Sequence, residues 1–510
     1  FIGAVIQLIV AKRGRQKNLS YIDERALISF EAPLANLLTD FYELTMSKGY
    51  LDNDMADTVA YFDLFFRQVP QEGGFAIMAG VEQMIEYLRD LTFTEEDLAY
   101  LASHDVFDDR FIEFLRQFKF TCDVWAIPEG TPIFPNEPIV KVRGPIIQAQ
   151  MIETMLLVTI NHQSLIATKT ARIVRAAKGR PVLEFGSRRA QGYDAAVLGA
   201  RAAYIAGAAG TSCTLCGEHF NIPVLGTMAH SWIQAFPDEF SAFAAYARSF
   251  PSDTVLLVDT YNTLHSGVPN AIRTAREVLE PMGHRLHGIR IDSGDLAYLT
   301  VKAREMLDQA GLTDCKITVS NALDEYIIRD LIVQCAAVDS FGVGERLITS
   351  RAEPVFGGVY KLAAIEDQGQ VVPRMKFSEN ATKITNPGNK SVWRFYDKSS
   401  GKAIADVIGL AEETISEDEP YEIFDPLHTW KRKTLTNFTV RSLLEPVFIA
   451  GELAYPHHSI EEIRKECAHE LDRLWESLKR FENPQSYYVD LSQKLWDTRN
   501  QLLIQAEASS

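Results

Sequence analysis

Two segments carry side chains suited to anionic substrates, a pair of arginines and a histidine, each directly after a predicted strand. Arg188 and Arg189 follow Gly186. Paired guanidinium groups can grip a carboxylate or phosphate bidentately, and glycine permits close backbone approach. His230 follows another strand, where an imidazole can act as a general base or as a nucleophile that carries a phosphoryl group. A solvated arginine pair and a structural histidine are the alternatives on these residues alone.

The segment 288–295, G-I-R-I-D-S-G-D, holds a denser set of charges. Arg290 and Asp292 alternate along a predicted strand and therefore share a face. Gly294 turns the chain, and Asp295 is placed to begin a helix. A carboxylate on the same face as basic residues can orient ribose hydroxyls or the water around Mg²⁺. We interpret the segment as part of a site rather than as surface charge on a turn.

Two further motifs are weaker. Gly342-x-Gly344 lacks the third glycine of a dinucleotide fingerprint and follows a late strand, so it is poor evidence for NAD binding. A glycine turn at a late strand end suits a phosphate better. Cys213-x-x-Cys216 with His219 resembles half of a metal site, but the sequence has no second CxxC motif. We interpret this trio as structural.

The elements that must position these residues alternate from about residue 180 to 350. The strand candidates are 181–185, 223–227, 254–259, 287–292, 316–320 and 339–343, and the helical candidates between them are 193–206, 270–282, 296–310 and 325–335. Repeated β-α units with nearly continuous apolar strands predict a buried parallel sheet, open or closed into a barrel. Because the strands of a barrel point the same way, polar residues at their ends would converge on one rim.

The domain boundaries follow from where this alternation starts and stops. We predict a β/α barrel catalytic domain over 151–355. Its flanks, 31–150 and 356–425, contain short strand-like runs and are predicted to form a second, β-rich domain. The end of the chain, 426–510, is predicted to be a helical segment. Residues 1–30 are treated as an N-terminal extension that is uninformative about fold.

The composition is typical of a globular enzyme. Single cores stop growing at about 250–300 residues, so 510 residues predict two or three domains. The net charge of −17 argues against binding of nucleic acid or of an anionic membrane. Six scattered cysteines do not form a disulfide framework and favour a reducing compartment. Since no apolar segment reaches the ~20 residues that span a bilayer, we expect a cytoplasmic protein.

Nine short motifs occur in an order that resembles the nicotinate phosphoribosyltransferase family. They are L-L-T-D-F-Y-E-L-T (37–45), F-D-L-F-F-R (62–67), E-F-G-S-R-R (184–189), G-T-S (210–212), G-T-M-A-H-S (226–231), D-T-Y-N-T (259–263), I-R-I-D-S-G-D (289–295), V-S-N-A-L-D (319–324) and F-G-G-V-Y-K-L (356–362). A further short match to the family lies at residues 483–492. The resemblance implies a type II phosphoribosyltransferase with an irregular, TIM-like β/α barrel and a second β-rich domain built from the N- and C-terminal flanks.

The resemblance also implies roles for individual residues. His230 matches the histidine that ATP phosphorylates. Phe185 and Arg290 match the pair that sandwiches the pyridine ring, and Thr227 matches a contact of nicotinate. Tyr42 matches a tyrosine that enters the active site from the partner subunit, so the resemblance implies a homodimer with shared active sites.

Further implied positions surround the second substrate and control selectivity. Arg188, Asp292 and Gly344 match positions around 5-phosphoribosyl-1-diphosphate, with Asp292 assigned to the catalytic group. No protein ligand of a metal is assigned directly, because Mg²⁺ would arrive on the diphosphate, near Asp292. Ser212 stands where similar enzymes that use nicotinamide have aspartate, which implies preference for the acid. Glu345 stands where many relatives have threonine, so no ligand role is given to it.

The implied reaction combines nicotinate, 5-phosphoribosyl-1-diphosphate, ATP and water. Its products are nicotinate mononucleotide, diphosphate, ADP and phosphate, and it is the first step of NAD biosynthesis from nicotinate. ATP is a co-substrate and Mg²⁺ the cofactor. The alternatives are a nicotinamide phosphoribosyltransferase, a quinolinate phosphoribosyltransferase that needs no phosphorylated histidine, and a non-catalytic barrel scaffold. The presence of both His230 and Arg290 argues against the scaffold.

Overall fold

The structure, a computed structural model, describes residues 15–22, 25–31, 38–377, 384–426 and 428–509, with the backbone alone for 15–31 and 507–509. Arg15–Ile22 (β1) and Arg25–Glu31 (β2) pair as an antiparallel hairpin. The N-terminal extension, predicted to be uninformative about fold, therefore contains regular secondary structure. Its first fourteen residues lie outside the described part of the chain.

The other described elements alternate between strands and helices along most of the chain. The strands are β3 (Val59–Phe66), β4 (Ala76–Ile77), β5 (Asp123–Ala126), β6 (Pro132–Ile133), β7 (Val140–Pro145), β8 (Val182–Glu184), β9 (Gly210–Thr211), β10 (Val255–Leu257), β11 (Gly288–Ile291), β12 (Lys316–Val319), β13 (Ser340–Val343), β14 (Gly358–Asp367), β15 (Gln370–Pro373), β16 (Lys390–Asp397), β17 (Ala403–Leu410), β18 (Tyr421–Phe424), β19 (Arg432–Leu435), β20 (Phe438–Ser442), β21 (Glu445–Ile449), β22 (Glu452–Leu453) and β23 (Tyr488–Leu491). The helices are α1 (Phe41–Asp52), α2 (Val81–Asp90), α3 (Glu95–Ala102), α4 (Asp109–Arg116), α5 (Ile146–Met151), α6 (Glu153–Ala176), α7 (Tyr193–Ile205), α8 (Thr214–Phe220), α9 (His230–Gln234), α10 (Glu239–Ser249), α11 (Val268–Thr274), α12 (Leu296–Gln309), α13 (Glu325–Val333), α14 (Glu345–Ile348), α15 (Ile460–Arg473) and α16 (Gln493–Ser509). Short 3₁₀ turns lie at Pro70–Glu72, Ser187–Arg189 and Glu280–Met282, and π turns flank α11 at Thr263–Gly267 and Ala275–Leu279.

Six parallel strands form the sheet that carries the site, in the order β10-β11-β12-β13-β8-β9. Five of the six predicted strands appear as β8 and β10 to β13, whereas the predicted strand 223–227 is reduced to one parallel bridge between Val224 and Thr211. Proline at position 223 lacks a backbone donor and glycine at 226 weakens a strand, which accounts for the reduction.

Each strand of this sheet pairs with the next one in the order, but no pairing among the described residues joins the last strand back to the first. β13 pairs with β8, although the two are far apart in the chain. Between Val224 and β10, however, no strand pairing joins the residues that the structure describes. A closed barrel is therefore not confirmed, and the observed architecture is a mixed α/β fold whose parallel sheet has an open seam.

Acidic residues at the strand ends begin the helices that follow. Asp295, predicted to begin a helix, accepts a hydrogen bond from the backbone N–H of Tyr298 at 3.1 Å at the start of α12. Asp324 accepts from the N–H groups of Tyr326 and Ile327 at the start of α13. Such caps satisfy backbone donors that a helix leaves free at its first turn. They also hold the ends of β11 and β12 in place.

Strands from both flanks of the chain share a second sheet of seven strands, ordered β15-β14-β3-β7-β5-β21-β22 and antiparallel throughout. β14 from the C-terminal flank pairs with β3, and Tyr360 stands opposite Leu64. β21, from the segment 426–510, pairs with β5 of the N-terminal flank. The two flanks thus meet in one sheet.

The predicted helical segment 426–510 is helical only in part. Helices α15 and α16 occur there, but β19 to β22 precede them and β23 separates them. β21 and β22 extend the seven-stranded sheet, and β20 and β23 flank β16 and β17 in a four-stranded sheet. The helical prediction is thus wrong for 432–453. Strands this short give little periodic signal, and β19 buries only Leu435 of its four residues.

Buried ion pairs connect helix α13, which follows β12, to the long helix α6. Glu325, at the start of α13, binds Lys169 and Arg172 of α6 at 2.6 and 2.8 Å. Removing one partner would leave a buried charge uncompensated, which typically costs about 3–5 kcal/mol. These contacts fix the helix that follows β12.

Within the described residues, no helix has the length and apolar character needed to cross a membrane.

Candidate active site

The predicted site residues of the parallel sheet gather at the carboxyl ends of its strands. Arg290 lies within β11, and Phe185, Ser212 and Gly344 directly follow β8, β9 and β13. Neighbouring parallel strands end at the same edge of a sheet, so side chains at their ends face a common space. This edge, called the rim below, is the candidate active site.

Arg290 is the centre of the polar network on the rim. Its Nε donates to Ser320 Oγ at 2.8 Å, and its Nη1 donates to Thr227 Oγ1 at 2.9 Å. Its Nη2 donates to Asp292 Oδ1 at 3.2 Å, and the Ser320 hydroxyl donates to the same oxygen. All three guanidinium nitrogens donate hydrogen bonds, so the orientation of the guanidinium plane is fixed. The sequence had not singled out Ser320 as a site residue, although its place at a strand end was a signal.

Phe185 lies beneath this guanidinium. The Arg290 Cζ atom is 5.7 Å from the centre of the Phe185 ring. A Cβ atom at position 342 would lie 2.6 Å from the same ring, far inside normal contact distance. Gly342 is therefore required for the ring to lie where it does. The structure places the Arg290 guanidinium over the Phe185 ring, and their role as a pair that sandwiches the pyridine is still a prediction.

His230 begins the short helix α9 and faces the carboxylates of two strand ends. Its Nδ1 lies 3.1 Å from Thr260 Oγ1. Its Nε2 lies 3.8 Å from Asp292 Oδ2 and 4.0 Å from Asp259 Oδ1. The side chain is 39% exposed, so an incoming group can reach the ring. With Nδ1 engaged by a hydroxyl, Nε2 is the nitrogen available for chemistry.

Asp259 is a site residue that the sequence reasoning did not assign. Its side chain is 1% exposed. Its Oδ2 accepts from the Asp292 N–H at 2.9 Å and from Ser293 Oγ at 2.5 Å. Its Oδ1 is buried without a hydrogen-bond partner in the described part of the chain. The signal for it was a polar residue ending a predicted strand, and its function is to hold the Asp292 turn beside His230.

The loops after β8 and β13 present arginines to the same region. Arg188 is exposed on its turn, and no hydrogen bond or ion pair involves it among the described residues, so its guanidinium is free to receive an anion. Arg189 and Arg351 both approach the Glu345 carboxylate, at 4.0 and 3.2 Å. Glu345 thus neutralises part of the local positive charge.

Gly344 brings the loops after β8 and β13 close together. A Cβ atom on this residue would lie 3.0 Å from the Phe185 carbonyl oxygen. A side chain here would therefore push the two strand ends apart. The structure places Gly344 on the rim, and its proximity to a phosphate group is still a prediction.

Ser212 lies on the rim with its side chain exposed. Its backbone N–H donates to the carbonyl oxygen of Glu184 at 2.9 Å, and the preceding Thr211 donates its hydroxyl to the Glu184 carboxylate at 2.6 Å. No carboxylate side chain belongs to the 210–213 segment. The rim at this position therefore presents a hydroxyl rather than a charge.

Tyr42 is not part of this cluster within a single chain. It lies on α1 and is 45% exposed. Burial, and then the neighbouring carboxylate of Glu153, raise the pKa of the Tyr42 hydroxyl. Three other apolar side chains of this segment are similarly exposed, namely Leu38, Phe41 and Met46. An exposed apolar stripe of this kind is typical of a contact surface.

Among the described residues, no cluster of three or more His, Cys, Asp or Glu side chains is arranged to hold a metal ion. Cys216 is buried, and burial raises its pKa to about 12. All six cysteines are free thiols. That the Cys213-Cys216-His219 trio is structural is still a prediction. Asp292 Oδ2 is a carboxylate oxygen on the rim, and hard cations such as Mg²⁺ prefer oxygen ligands.

Comparison with known proteins adds independent evidence. The nicotinate phosphoribosyltransferase (NAPRTase) family pattern matches residues 181–407. The patterns of the NAPRTase N-terminal domain and the nicotinate phosphoribosyltransferase C-terminal domain match residues 37–161 and 389–499. Together these matches cover both flanks and the parallel sheet.

Individual relatives agree with the family patterns. The chain is 44% identical to nicotinate phosphoribosyltransferase of Bacillus subtilis, over 92% of this chain and 96% of the relative. It is 34% identical to the Dictyostelium discoideum protein of the same name, over 91% and 88% of the two chains. The crystal structure of human nicotinic acid phosphoribosyltransferase superposes with a TM-score of 0.80 at 31% identity, covering 92% of this chain and 100% of that one.

Proposed function

This chain belongs to the nicotinate phosphoribosyltransferase family, and on that premise we propose that it joins nicotinate to 5-phosphoribosyl-1-diphosphate. The products are nicotinate mononucleotide and diphosphate, on the route to NAD. The observation that carries the proposal is the Phe185–Arg290 pair, which lies on the same rim as His230 and Asp292. A flat anionic ring, a phosphate and a histidine nucleophile can meet there.

The pyridine ring of nicotinate binds between the Phe185 ring and the Arg290 guanidinium. A stacked ring needs contacts of about 3.5–4 Å on each face, so the present 5.7 Å separation must open by somewhat more than 1 Å. The guanidinium then stacks on one face of the pyridine ring, and the Phe185 ring packs on the other face. The nicotinate carboxylate then meets the Thr227 and Ser212 hydroxyls and the positive charge of Arg290.

The ribosyl transfer needs little covalent chemistry from the protein. The pyridine nitrogen attacks ribosyl C1, the bond from C1 to the diphosphate oxygen breaks, and positive charge develops on the ribosyl group. Asp292 lies beside Arg290 and can hold a ribose hydroxyl and stabilise that charge. Arg188 binds the phosphates. Mg²⁺, when bound, would neutralise charge on the leaving diphosphate, with Asp292 near it.

ATP is proposed to phosphorylate His230 on Nε2. The terminal phosphoryl group moves from ADP oxygen to nitrogen, and later hydrolysis releases phosphate. Thr260 holds Nδ1 and so orients the ring. Asp292 and Asp259, at 3.8 and 4.0 Å from Nε2, would repel a phosphoryl group on that nitrogen. A Mg²⁺ ion near Asp292 fits this arrangement, because it would offset the repulsion.

The finer features of the architecture are part of the same proposal. We treat the parallel sheet as an irregular β/α barrel whose seam, between Val224 and β10, lies beside the His230 loop. The active unit is a homodimer in which the α1 surface meets the partner. A cytoplasmic location is supported by the free thiols. The alternatives, a nicotinamide enzyme, a quinolinate enzyme and a scaffold, are not favoured by the named relatives.

The function is tested by measuring mononucleotide formation from nicotinate and from nicotinamide, each with and without ATP and Mg²⁺. We expect product from nicotinate, faster with ATP, and little from nicotinamide. Quinolinate serves as a third substrate that should be inert. Absence of nicotinate-dependent product with the folded, full-length chain would refute the assignment.

A further inference from the structure

Glu184 is a buried carboxylate beneath the rim, and the reaction steps above do not use it. It is the last residue of β8, and its side chain is fully buried. None of the described ion pairs involves it, and burial raises its pKa. A buried carboxyl group without a cation destabilises the fold unless hydrogen bonds hold it. The partners of its two oxygens therefore indicate what the side chain does.

The Glu184 carboxyl group joins two segments of the rim. The Gly186 N–H donates to Oε1, and Thr211 Oγ1 donates to Oε2 at 2.6 Å. The same Thr211 oxygen accepts from the Cys213 N–H at 2.9 Å, and the Glu184 carbonyl oxygen accepts from the Ser212 N–H at 2.9 Å. Hydrogen bonds with Glu184 and Thr211 thus fix the backbone of Ser212 and of the residues before and after it.

Position 186 must be glycine for this arrangement. A Cβ atom there would lie 2.7 Å from Glu184 Oε1 and 2.6 Å from Ile348 Cβ. The carboxyl group can fold back under the turn only because that atom is missing. The same turn carries Phe185 on one side and Arg188 on the other. One buried side chain therefore holds both the ring-binding segment and the Ser212 segment.

We propose that Glu184 is a positioning residue that sets the spacing between Phe185 and Ser212, and through it the preference for a pyridine carboxylate over a pyridine amide. The inference rests on the proposed function, in which the ring lies on Phe185 and its substituent points to Ser212. Loss of the link lets the Ser212 segment move relative to the ring. Discrimination then falls, while the chemistry at His230 continues.

The first test compares Glu184→Ala with Glu184→Gln. Alanine removes both side-chain bonds, whereas glutamine keeps an acceptor for Gly186 and a polar group beside Thr211. For Glu184→Ala we expect the nicotinate KM to rise about tenfold and the acid-to-amide ratio of kcat/KM to fall about tenfold. The KM values for ATP and 5-phosphoribosyl-1-diphosphate should change less than about twofold, and Glu184→Gln should stay within about threefold of wild type.

A second variant, Thr211→Val, keeps the inference testable if Glu184→Ala does not fold. Thr211→Val removes only the hydroxyl, and Thr170→Val is its matched control, because the Thr170 hydroxyl is buried without a described partner. We expect Thr211→Val, but not Thr170→Val, to raise the nicotinate KM and lower the acid-to-amide ratio of kcat/KM. The inference is wrong if folded Glu184→Ala and Thr211→Val leave the nicotinate KM and this ratio unchanged. It is also wrong if the KM values for nicotinate, ATP and 5-phosphoribosyl-1-diphosphate all rise together. A wild-type chain inactive on nicotinate would instead refute the proposed function.

Discussion

At the scale of single residues, His230 shows how neighbours decide what a side chain can do. A histidine at a strand end can be structural, a base or a nucleophile. Thr260 occupies Nδ1, and 39% of the side chain is exposed, which leaves Nε2 open to an incoming phosphoryl group.

We predict that His230→Ala abolishes phosphorylation by ATP. Incubation with γ-labelled ATP should label the wild type with acid-labile, base-stable phosphate, because phosphohistidine has that chemistry. The matched control is His469→Ala, which alters an exposed histidine on α15 and should be labelled as strongly as the wild type. Equal labelling of the His230→Ala protein would exclude the nucleophile role.

We predict that Ser212→Asp lowers the activity on nicotinate. The ratio of kcat/KM for nicotinate to kcat/KM for nicotinamide should fall, to below one if the preference inverts. A carboxylate at this position would face the nicotinate carboxylate, and like charges in a partly buried site cost several kcal/mol. The kcat/KM for nicotinate should fall by about a hundredfold or more, and Ser212→Ala should retain the preference. A wild-type enzyme equally efficient with both substrates would contradict this view of Ser212.

At the scale of elements, the rim depends on strands that end close together. β8 pairs with β13, so the Phe185 segment and the glycines at 342 and 344 share one strand junction. Each glycine leaves room for atoms of the neighbouring segment rather than for a ligand. The spacing of two elements, and not only the side chains on them, therefore determines where the Phe185 ring lies.

We predict that Gly342→Ala weakens nicotinate binding. The new Cβ would lie 2.6 Å from the Phe185 ring and 3.2 Å from Ser320 Cβ, so the ring must move. Overpacking of this kind typically costs about 1–3 kcal/mol of stability, and we expect the nicotinate KM to rise about tenfold. Gly311→Ala, on the turn after α12, is the control, because its Cβ meets nothing within 4 Å while its positive φ of 79° costs stability away from the rim. An unchanged KM in folded Gly342→Ala would show that Phe185 does not contact the substrate.

At the scale of the whole molecule, the site of one chain lacks a cover. The α1 segment exposes four apolar side chains, Leu38, Phe41, Tyr42 and Met46, and Tyr42 does not reach the rim of its own chain by any described contact. A two-fold dimer would bury this surface and create two equivalent sites. Tyr42 of each chain would then cover the pyridine ring held by the other.

We predict that Tyr42→Ala and Arg290→Ala chains, each nearly inactive alone, complement one another. A mixed dimer has one intact site of two, because one chain supplies Arg290 and its partner supplies Tyr42. We therefore expect about half of the wild-type activity per mixed dimer, isolated by two affinity tags. Tyr488→Ala, at an exposed tyrosine of β23, should be active alone. Mixed dimers without activity would place Tyr42 outside a shared site.

The sequence by itself determined the chemistry and most of the parallel sheet. Arg188, Arg290 and Asp292 stand at the ends of strands that were predicted from local apolar runs, and such runs are encoded within a few residues. The order of the motifs was enough to indicate the family. Capping by Asp295 was also predicted, since a cap depends only on its neighbours in the chain.

Only the tertiary structure decided how distant segments meet. The seam at Val224, the pairing of β21 with β5 and the burial of Asp259 and Glu184 all depend on partners far away in the chain. Strand pairing and burial are set by packing between segments, which local propensity does not record. For that reason the sequence could predict candidate residues for the site, while the fold determined the distances between them.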